Sequence, residues 1–320
     1  MFIIVFQGGI MKKLLPYLMI AFGASLWGII AIFVRELKDA GLTEMEIVTV
    51  RVAFASLFLV LIGGLRYRDQ FFIHVRKLPL FIGTGIFSIV FFNYCYFSTI
   101  NQMNVSIAVI LLYTSPAIVV ILSFIFLKEP LHKKKVGAVV GTIIGCIFVA
   151  GMSAEQTSSI TLVGLLTGLG SGLGYALYTI FGKLALNHYK PFTVTLYTFI
   201  VATVALLPFS GIWGKLDILF SLKVLFYSVG LGLIPTVLAY FVYTWGLGKT
   251  EGSKAAVIAT VEPVVATIVG ILIYQEQMSV GQFFGALLIL ASVILVNLPE
   301  KARKLDSLIN KDEKSTGSFN

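Results

Sequence analysis

The sequence has little charge: only 12% of its 320 residues are Asp, Glu, Lys or Arg, whereas 58% are hydrophobic. A soluble domain of this size could not bury so much apolar surface, because it would have too few polar residues to cover its exterior. The mean hydropathy of +0.96 points the same way. The scarcity of charge therefore excludes a soluble globular protein and predicts a chain that crosses a membrane many times.

Cysteines and catalytic motifs are also scarce. Cys95 and Cys146 belong to no C-x-x-C pair, so we expect two small buried side chains and neither a disulfide nor a metal site. The histidines lie in predicted loops without H-E-x-x-H or triad spacing, and the chain has no G-x-x-x-x-G-K-[ST] motif. We therefore expect no enzyme, no ATP-driven pump, no cofactor and no metal.

Long apolar runs are abundant. A helix needs about 20 mainly apolar residues to cross a bilayer, and ten such runs follow one another with short loops between them. The predicted spans are 15–34, 45–63, 78–98, 105–127, 135–151, 160–183, 191–209, 219–245, 254–274 and 280–298. The loops are too short to hold a soluble catalytic domain. The predicted fold is an all-α polytopic membrane protein with ten transmembrane helices.

The second half of the sequence repeats the first, with five spans in each half. The matched positions include Pro116 with Pro263, Glu129 with Glu276, Gly85 with Gly232 and Tyr96 with Tyr243. Because five is an odd number, the second copy enters the membrane upside down, and such inverted repeats are typical of transporters. Met11 is followed by two lysines, as at an ordinary start. We therefore assign 11–151 to the first repeat, 158–298 to the inverted second repeat and 299–320 to a cytoplasmic tail.

Positive charge predicts the orientation. If the N-terminus is inside, most of the Lys and Arg residues fall in cytoplasmic segments, including the basic run at 132–135, which we interpret as a topology anchor. The outer loops then hold only Arg35, Lys38, Lys215 and Lys223. This bias predicts a multi-pass plasma-membrane protein with both termini in the cytoplasm. The net charge of +9 follows from topology and contact with anionic lipid, so no nucleic-acid partner is expected.

An acid and a proline stand side by side inside the ninth apolar run. Glu262 lies about 12 Å from the inner end of that span, and an acid so deep costs on the order of 3 kcal/mol if it faces lipid. We therefore expect Glu262 to face a cavity and to bind substrate or carry a coupling proton, because desolvation favours the neutral acid. The alternative is a protonated glutamate that bonds a neighbouring helix.

Two prolines predict where the cavity lies. Pro116 and Pro263 each remove one backbone donor, so we expect them to kink their helices and free carbonyl groups near the midplane, where only protein or a cavity can accommodate them. The polar and aromatic residues expected at similar depth are Trp27, Asn93, Tyr113, Ser115, Tyr175, Tyr240 and Thr260. Each ring alone could be a packing residue. As a set, these residues predict an amphipathic substrate-binding cavity.

We expect the other charged residues near the ends of spans to have structural roles. Arg51 lies toward the outer end of the second span, where it can reach the interface or pair with an acid at that face. Glu129 ends the fourth span at the face where Lys183 ends the sixth. Glu276 ends the ninth span at the face where Arg35 ends the first. For both glutamates we favour pairing at the helix end or solvation at the interface over a role in substrate gating.

Several of these features occur together in one known family. They are the duplicated five-span halves, a proline in the fourth and ninth spans with a glutamate at the end of each, "VTVRVAFASLFLVL" around Arg51, and "EPVVATIVGILIYQE" at 262–276. In this combination, over about residues 15–298, the sequence resembles the EamA-type transporters of the drug/metabolite transporter superfamily. The resemblance implies a ten-helix inverted-repeat carrier, often an exporter of amino acids or other small metabolites.

The sequence thus predicts a secondary active transporter that moves small organic metabolites, such as amino acids, across the plasma membrane by alternating access. The cargo and the preference for export rest on the resemblance alone. A passive channel or a membrane scaffold is the alternative, with a membrane-embedded enzyme less favoured. The expected partners are a small-molecule substrate and the lipid bilayer. Protons are the candidate coupling ions, and a homodimer is left open.

Overall fold

The structure is a computed structural model that describes residues 2–103, 105–151 and 161–298. Nearly all of these residues are helical. The helices of the first half are α1 (Phe2–Gly28), α2 (Ile30–Asp39), α3 (Glu44–Arg66), α4 (Leu78–Ile82), α5 (Phe91–Gln102), α6 (Val105–Leu112), α7 (Ser115–Phe126) and α8 (Lys133–Val149). Those of the second half are α9 (Leu162–Leu186), α10 (Pro191–Leu206), α11 (Leu216–Leu219), α12 (Leu222–Gly232), α13 (Ala239–Leu247), α14 (Gly252–Ala259), α15 (Val261–Tyr274) and α16 (Val280–Asn297).

Nine stretches of the described residues are long and apolar enough to cross a membrane. Each coincides with a predicted span to within a few residues, and the first extends farther than predicted, to Asp39. The remaining predicted span corresponds to α8, which is apolar but has only 17 residues and begins within the basic run. The predicted all-helical membrane fold with duplicated halves is confirmed. The predicted tail at 299–320 lies outside the described residues.

The packing of the two halves follows the repeat. Helix α1 packs on α13 as α9 packs on α5, while α3 faces α10 and α8 faces α16. Ser56 and Thr203 lie 147 residues apart, and their hydroxyl oxygens are 3.1 Å apart. These two residues are equivalent under the repeat, so their contact marks the pseudo-two-fold axis between α3 and α10.

Glycines at matched positions let neighbouring helices approach closely. A Cβ atom built on Gly85 would lie 2.8 Å from the Thr198 carbonyl oxygen, and one built on Gly232 would lie 2.7 Å from the Phe54 Cβ. No side chain fits at such distances, so each position requires glycine. These contacts link the third span to α10 and, in the matched place, the eighth span to α3.

The fourth and ninth spans are each interrupted in the middle. In the fourth span α6 ends at Leu112 and α7 begins at Ser115, and in the ninth α14 ends at Ala259 and α15 begins at Val261. Because proline has no N–H, Pro116 cannot bond the carbonyl four residues earlier, and the same holds for Pro263. The helical hydrogen-bond ladder is therefore broken near the middle of both spans.

The third and eighth spans contain wide-turn segments that sequence analysis did not anticipate. Residues Gly83–Val90, between α4 and α5, and Leu233–Leu238, between α12 and α13, form π-helix. In the second of these, the Thr236 hydroxyl donates to the Leu231 carbonyl oxygen at 2.7 Å. Such segments are rare and often lie at functional sites. They border the same central region as the two interrupted spans.

The helical bundle has two ends. The terminal face is the end where α1 begins and α16 ends, and it also holds the α7–α8 and α13–α14 connections. The opposite face holds the α2–α3, α5–α6 and α15–α16 connections. On the opposite face, Thr43 and Ser279 begin α3 and α16 with capping boxes that satisfy the first backbone N–H groups.

Candidate functional site

An aromatic cluster occupies the centre of the molecule, where helices from both halves meet. The Trp27 ring on α1 lies 4.9 Å from the rings of Tyr240 and Tyr243 on α13, centroid to centroid. The Tyr175 ring on α9 lies 6.1 Å from Trp27 in an edge-to-face arrangement, which is favourable for aromatic pairs. Three residues predicted from sequence to line a cavity, Trp27, Tyr175 and Tyr240, are therefore brought together.

The cluster surrounds a nearly filled cavity of about 10 Å³, which is roughly the space that one water molecule needs. Its remaining lining comes from the π-helical segment of the third span, from α5 and from α9, and consists of Ser88, Ile89, Phe92, Tyr178 and Thr179. Trp27 is only 7% exposed, and its indole nitrogen has no hydrogen-bond partner within the described part of the chain. Because buried polar groups are nearly always satisfied, this donor is available to a water molecule or a solute in the cavity.

Glu262 lies beside the cluster, in the first turn of α15. The Tyr175 hydroxyl donates to Glu262 Oε2 at 3.0 Å, and the Tyr113 side chain, next to the break in the fourth span, also hydrogen-bonds this carboxyl group. A Cβ atom built on Gly28 would lie 2.8 Å from the Glu262 carbonyl oxygen, so α1 packs directly against this turn. The carboxyl group therefore meets hydroxyls from two other spans.

Arg51 points into the bundle, contrary to the anchoring role expected from sequence. Its Nε donates to the Thr236 hydroxyl oxygen at 2.9 Å, within the π-helical segment of the eighth span. Its guanidinium carbon lies 5.9 Å from the centre of the Tyr240 ring. Glu46, an acid at the outer face with which Arg51 could have paired, accepts from Lys215 at 2.8 Å instead.

The remaining predicted site residues lie outside the aromatic cavity. The Asn93 amide donates to the Ile89 carbonyl oxygen at 2.7 Å in its own helix. The Thr260 hydroxyl likewise donates to the Val257 carbonyl oxygen at 2.6 Å. Ser115 is buried in the first turn of α7, at the position that matches Glu262 in the other half. Pro116 and Pro263 are buried next to the two helix breaks.

Several lining residues were missed by sequence analysis. Tyr178 and Tyr243 each follow a predicted residue by one helical turn, so the spacing Tyr175–Tyr178 and Tyr240–Tyr243 places each pair on one helix face. This spacing was a usable signal. Ser88 and Thr179 carry no comparable signal, because single hydroxyl residues occur throughout the spans. No group of His, Cys, Asp and Glu side chains within the described ranges could hold a metal ion.

At the terminal face, Glu129 caps a helix instead of pairing with Lys183. Its Oε1 accepts from the Gly252 backbone N–H at 2.6 Å, and its Oε2 accepts from the Ser253 N–H at 3.1 Å and from the Ser253 hydroxyl at 2.5 Å. Lys183 donates to the carbonyl oxygens of Leu247 and Thr250. Both side chains thus satisfy free backbone groups at the α13–α14 turn, as helix ends require.

The basic run does more than anchor the topology, because Lys135 is 3% exposed. Its ammonium group pairs with Glu251 and lies 3.9 Å from Glu129. Lys254 adds a second pair with Glu251 at 3.3 Å. Burial raises the pKa of Glu251, but these two lysines lower it more, so the pKa lies below its ordinary value. Glu129, Lys135 and Glu251 therefore join the α7–α8 connection and the start of α8 to the α13–α14 connection at the terminal face.

Comparison with known proteins identifies the family. The EamA-like transporter family matches the chain twice, over residues 14–151 and 162–298. An uncharacterized transporter of Archaeoglobus fulgidus is 27% identical over 86% of this chain and 94% of its own length. The uncharacterized inner membrane transporter YicL of Salmonella typhimurium is 24% identical over 88% of this chain and 94% of its own length.

A solved crystal structure shares the fold. It superposes with a TM-score of 0.68 at 17% sequence identity and covers 88% of this chain and 97% of that one. The two family matches cover the residues of both interrupted spans and of both π-helical segments. The chain therefore belongs to the EamA-like transporter family, as its motifs predicted, and is a multi-pass membrane transporter and not an enzyme.

Proposed function

We propose that this transporter is a secondary carrier that moves a small organic solute across the plasma membrane by alternating access, with export as the favoured direction. The observation that carries the proposal is the buried contact between Tyr175 and Glu262 beside the central cavity. This contact joins α9 to α15 where the interrupted ninth span leaves backbone groups free. Substrate sites of inverted-repeat carriers lie at such places.

Opposite charges near the cavity favour a zwitterionic solute such as an amino acid. The rings of Tyr240, Trp27 and Tyr175 form a continuous run, with Arg51 beside Tyr240 at one end and Glu262 bonded to Tyr175 at the other. A guanidinium group suits a carboxylate and a carboxylate suits an ammonium group. The aromatic rings between them would contact the apolar part of the solute.

Glu262 is also the residue best placed to couple transport to protons. Burial disfavours a charged carboxylate, whereas contact with water favours it. A carboxyl group that is buried in one conformation and hydrated in another therefore binds and releases a proton during the cycle. This would tie the movement of the solute to the movement of a proton, with Tyr175 and Tyr113 holding the carboxyl group in place.

The terminal face is proposed to be cytoplasmic. Basic residues concentrate in the connections on that face, among them Lys128, Lys133, Lys190 and Lys249. Cytoplasmic connections carry such an excess. Both termini would then lie inside the cell. Single cysteines at position 277 should react with an impermeant reagent from outside intact cells and cysteines at position 133 should not. The reverse pattern would overturn the orientation.

Transport in proteoliposomes tests the proposal directly. The purified protein is supplied with a panel of labelled amino acids, with and without an imposed pH gradient, and counterflow is measured. A carrier gives saturable flux that responds to the gradient and exchanges labelled for unlabelled solute. A passive channel would give flux that does not saturate and no counterflow. The absence of any flux above protein-free liposomes across the panel would reject the amino-acid class.

A further inference from the structure

The ends of the fourth and ninth spans have the same backbone conformation but different contacts. Lys128 and Gln275 adopt positive φ angles of 56° and 53°. The next residue in each case is a glutamate. The Glu129 N–H donates to the Ser123 carbonyl oxygen at 3.1 Å, and the Glu276 N–H donates to the Gly270 carbonyl oxygen at 3.1 Å. The two glutamates therefore leave their helices through the same turn, one on the terminal face and one on the opposite face.

Only one of these glutamates is bonded to the matching helix start. Glu129 is 9% exposed and accepts three hydrogen bonds from Gly252 and Ser253 at the start of α14. The matched helix start on the opposite face is Val105–Ser106, the beginning of α6. Glu276 is exposed, and none of the hydrogen bonds among the described residues joins its carboxylate to α6.

A groove lies beside each glutamate, and the two grooves are similar in volume but differ in their lining. On the terminal face the groove ends against the α13–α14 turn, where Lys183 donates to the Leu247 carbonyl oxygen at 2.7 Å. On the opposite face the groove runs between α2 and α15, with Arg35 over the Tyr274 ring at 4.4 Å. The described part of the α5–α6 turn does not line that groove. The asymmetry between the faces lies in helix packing: α7 packs on α14 at the terminal face, whereas the matched helices α6 and α15 at the opposite face are not closely packed within the described residues.

We infer that Glu129 and Glu276 are alternating latches of the transport cycle. In the conformation seen here Glu129 holds the terminal face shut. When that face opens, Glu276 takes the equivalent place on the N–H groups at the start of α6 and holds the opposite face shut. The inference rests on the alternating access of the proposed function, and it assigns to these two residues a role that a fixed helix cap would not have.

The closed latch is built so that it can release. Carboxylates at helix N-termini are strongly bound, but Ser123 and Thr250 beside this contact keep buried hydroxyl oxygens without partners in the described residues. Unsatisfied buried groups cost free energy. Opening would hydrate these two hydroxyls, which offsets part of the loss of the Glu129 bonds. The two faces can therefore be close to balance, as a carrier requires.

Cysteine accessibility in nanodiscs tests the latch without any substrate. The background carries Cys95→Ala and Cys146→Ala. Ala256→Cys reports on the terminal face, because Ala256 is 5% exposed between α14 and its neighbours, and Ala266→Cys reports on the opposite groove. We expect Glu129→Gln to raise the labelling rate at 256 and lower it at 266, changing their ratio about tenfold. Glu276→Gln should change the ratio in the other direction.

A matched control and a cross-link complete the test. Glu44→Gln, at an exposed pair with Lys38, should leave the ratio unchanged. Ser106→Cys with Glu276→Cys should form a disulfide under copper phenanthroline, expose position 256 and protect position 266. A ratio unchanged in Glu129→Gln protein that still elutes as a folded monodisperse species, or no cross-link after exhaustive oxidation, would overturn the latch.

The latch and the proposed function can fail separately. Labelling and cross-linking report on conformation alone. If the ratios change as expected but no solute is transported, the latch stands and the proposed cargo is wrong. If solute is transported while both latch variants label like the wild type, the carrier stands and the latch is wrong.

Discussion

The fourth and ninth spans are the same structure with different chemistry. Both consist of an eight-residue helix, a break and a second helix with proline in its first turn. At the matched position before the proline, one has Ser115 and the other has Glu262. The bundle therefore needs the break and the proline in both halves but the acid in only one. A feature that the architecture does not require is a candidate for function.

The third and eighth spans show the same division. Their π-helical segments occupy matched places, but Thr236 in one accepts from Arg51, whereas the matched Ile89 in the other lines the cavity. At these positions the geometry is shared between the halves and the polar side chains are not. Under the proposed function, the shared geometry would let the halves exchange conformations, and the unshared residues would distinguish the substrate.

Glu262→Gln should show the largest difference in transport between substitutions in the two interrupted spans. The variant keeps the side-chain shape and a hydrogen-bonding head group but cannot ionise, so we expect pH-driven transport to fall about 100-fold, or ~2.7 kcal/mol. Solute exchange without a gradient should survive. The matched Ser115→Ala should stay within about twofold of the wild type. Wild-type rates for Glu262→Gln between about pH 5 and 8 would refute the proton-coupling role.

Alanine at the paired glycines tests whether the halves are mechanically equivalent. Gly85→Ala and Gly232→Ala would each force a Cβ atom to within 2.8 or 2.7 Å of a neighbouring helix. We expect each to lower the free energy of unfolding by about 1–3 kcal/mol, and by similar amounts. Thermal unfolding in detergent provides the measurement. Gly64→Ala is the control, because a Cβ there would meet nothing within 4 Å. Clearly unequal costs would contradict the symmetry.

Tyr175→Phe should distinguish the contribution of the Tyr175 hydroxyl, which contacts Glu262, from the contribution of the Tyr175 ring, which packs in the aromatic cluster. It removes the hydroxyl that donates to Glu262 at 3.0 Å and keeps the ring. We expect the maximal transport rate to fall about tenfold and the pH dependence of transport to change, with little change in thermal stability. Tyr243→Phe, whose hydroxyl meets Thr179 at 3.1 Å, should leave the pH dependence unchanged. An identical pH profile in both variants would show that the Tyr175 contact is structural.

The smallest effect is expected at Glu251, whose matched position in the first half is the neutral Asn104. The pKa of Glu251 lies below the ordinary value of 4.5, so its stabilisation is present above that value and is lost as the pH falls through the lowered pKa. Glu251→Gln should therefore cost about 1 kcal/mol near pH 7, because Glu251 is partly exposed and the buried Lys135 keeps Glu129 at 3.9 Å. The thermal difference from the wild type should shrink as the pH falls below 4.5 and through the lowered pKa. A larger difference in acid would refute the ion pair.

The spans and the repeat could be predicted from sequence because their signals are long. Each apolar run contains many residues that give the same signal. The repeat is supported by several matched pairs, such as Pro116 and Pro263, that are separated by the same number of residues. Contacts that depend on helix rotation could not be predicted. Arg51 bonds a residue 185 positions away, and the π-helical segment that turns Thr236 toward it has no sequence pattern. Which way a single polar residue faces is decided by neighbours that are distant in sequence.

The contacts of Glu129 could not be predicted for a different reason. The sequence predicts that Glu129 pairs at the helix end or is solvated at the interface, with Lys183 at the same face. The structure instead gives each of them backbone groups at a helix end. A helix start offers several N–H groups in a fixed geometry and already carries partial positive charge. A carboxylate can bind either a charged side chain or the N–H groups of a helix start. Which of the two it binds depends on which helix start lies beside it in the folded structure.

The contact between Ser56 and Thr203 has a consequence for measuring motion in this molecule. A point on a two-fold axis stays where it is when the two halves exchange shapes. The distance between these hydroxyls, 3.1 Å here, should therefore be the same whichever face is open. Spectroscopic labels placed near this contact would give a ruler of constant length, against which the movements of every other pair of labels can be calibrated.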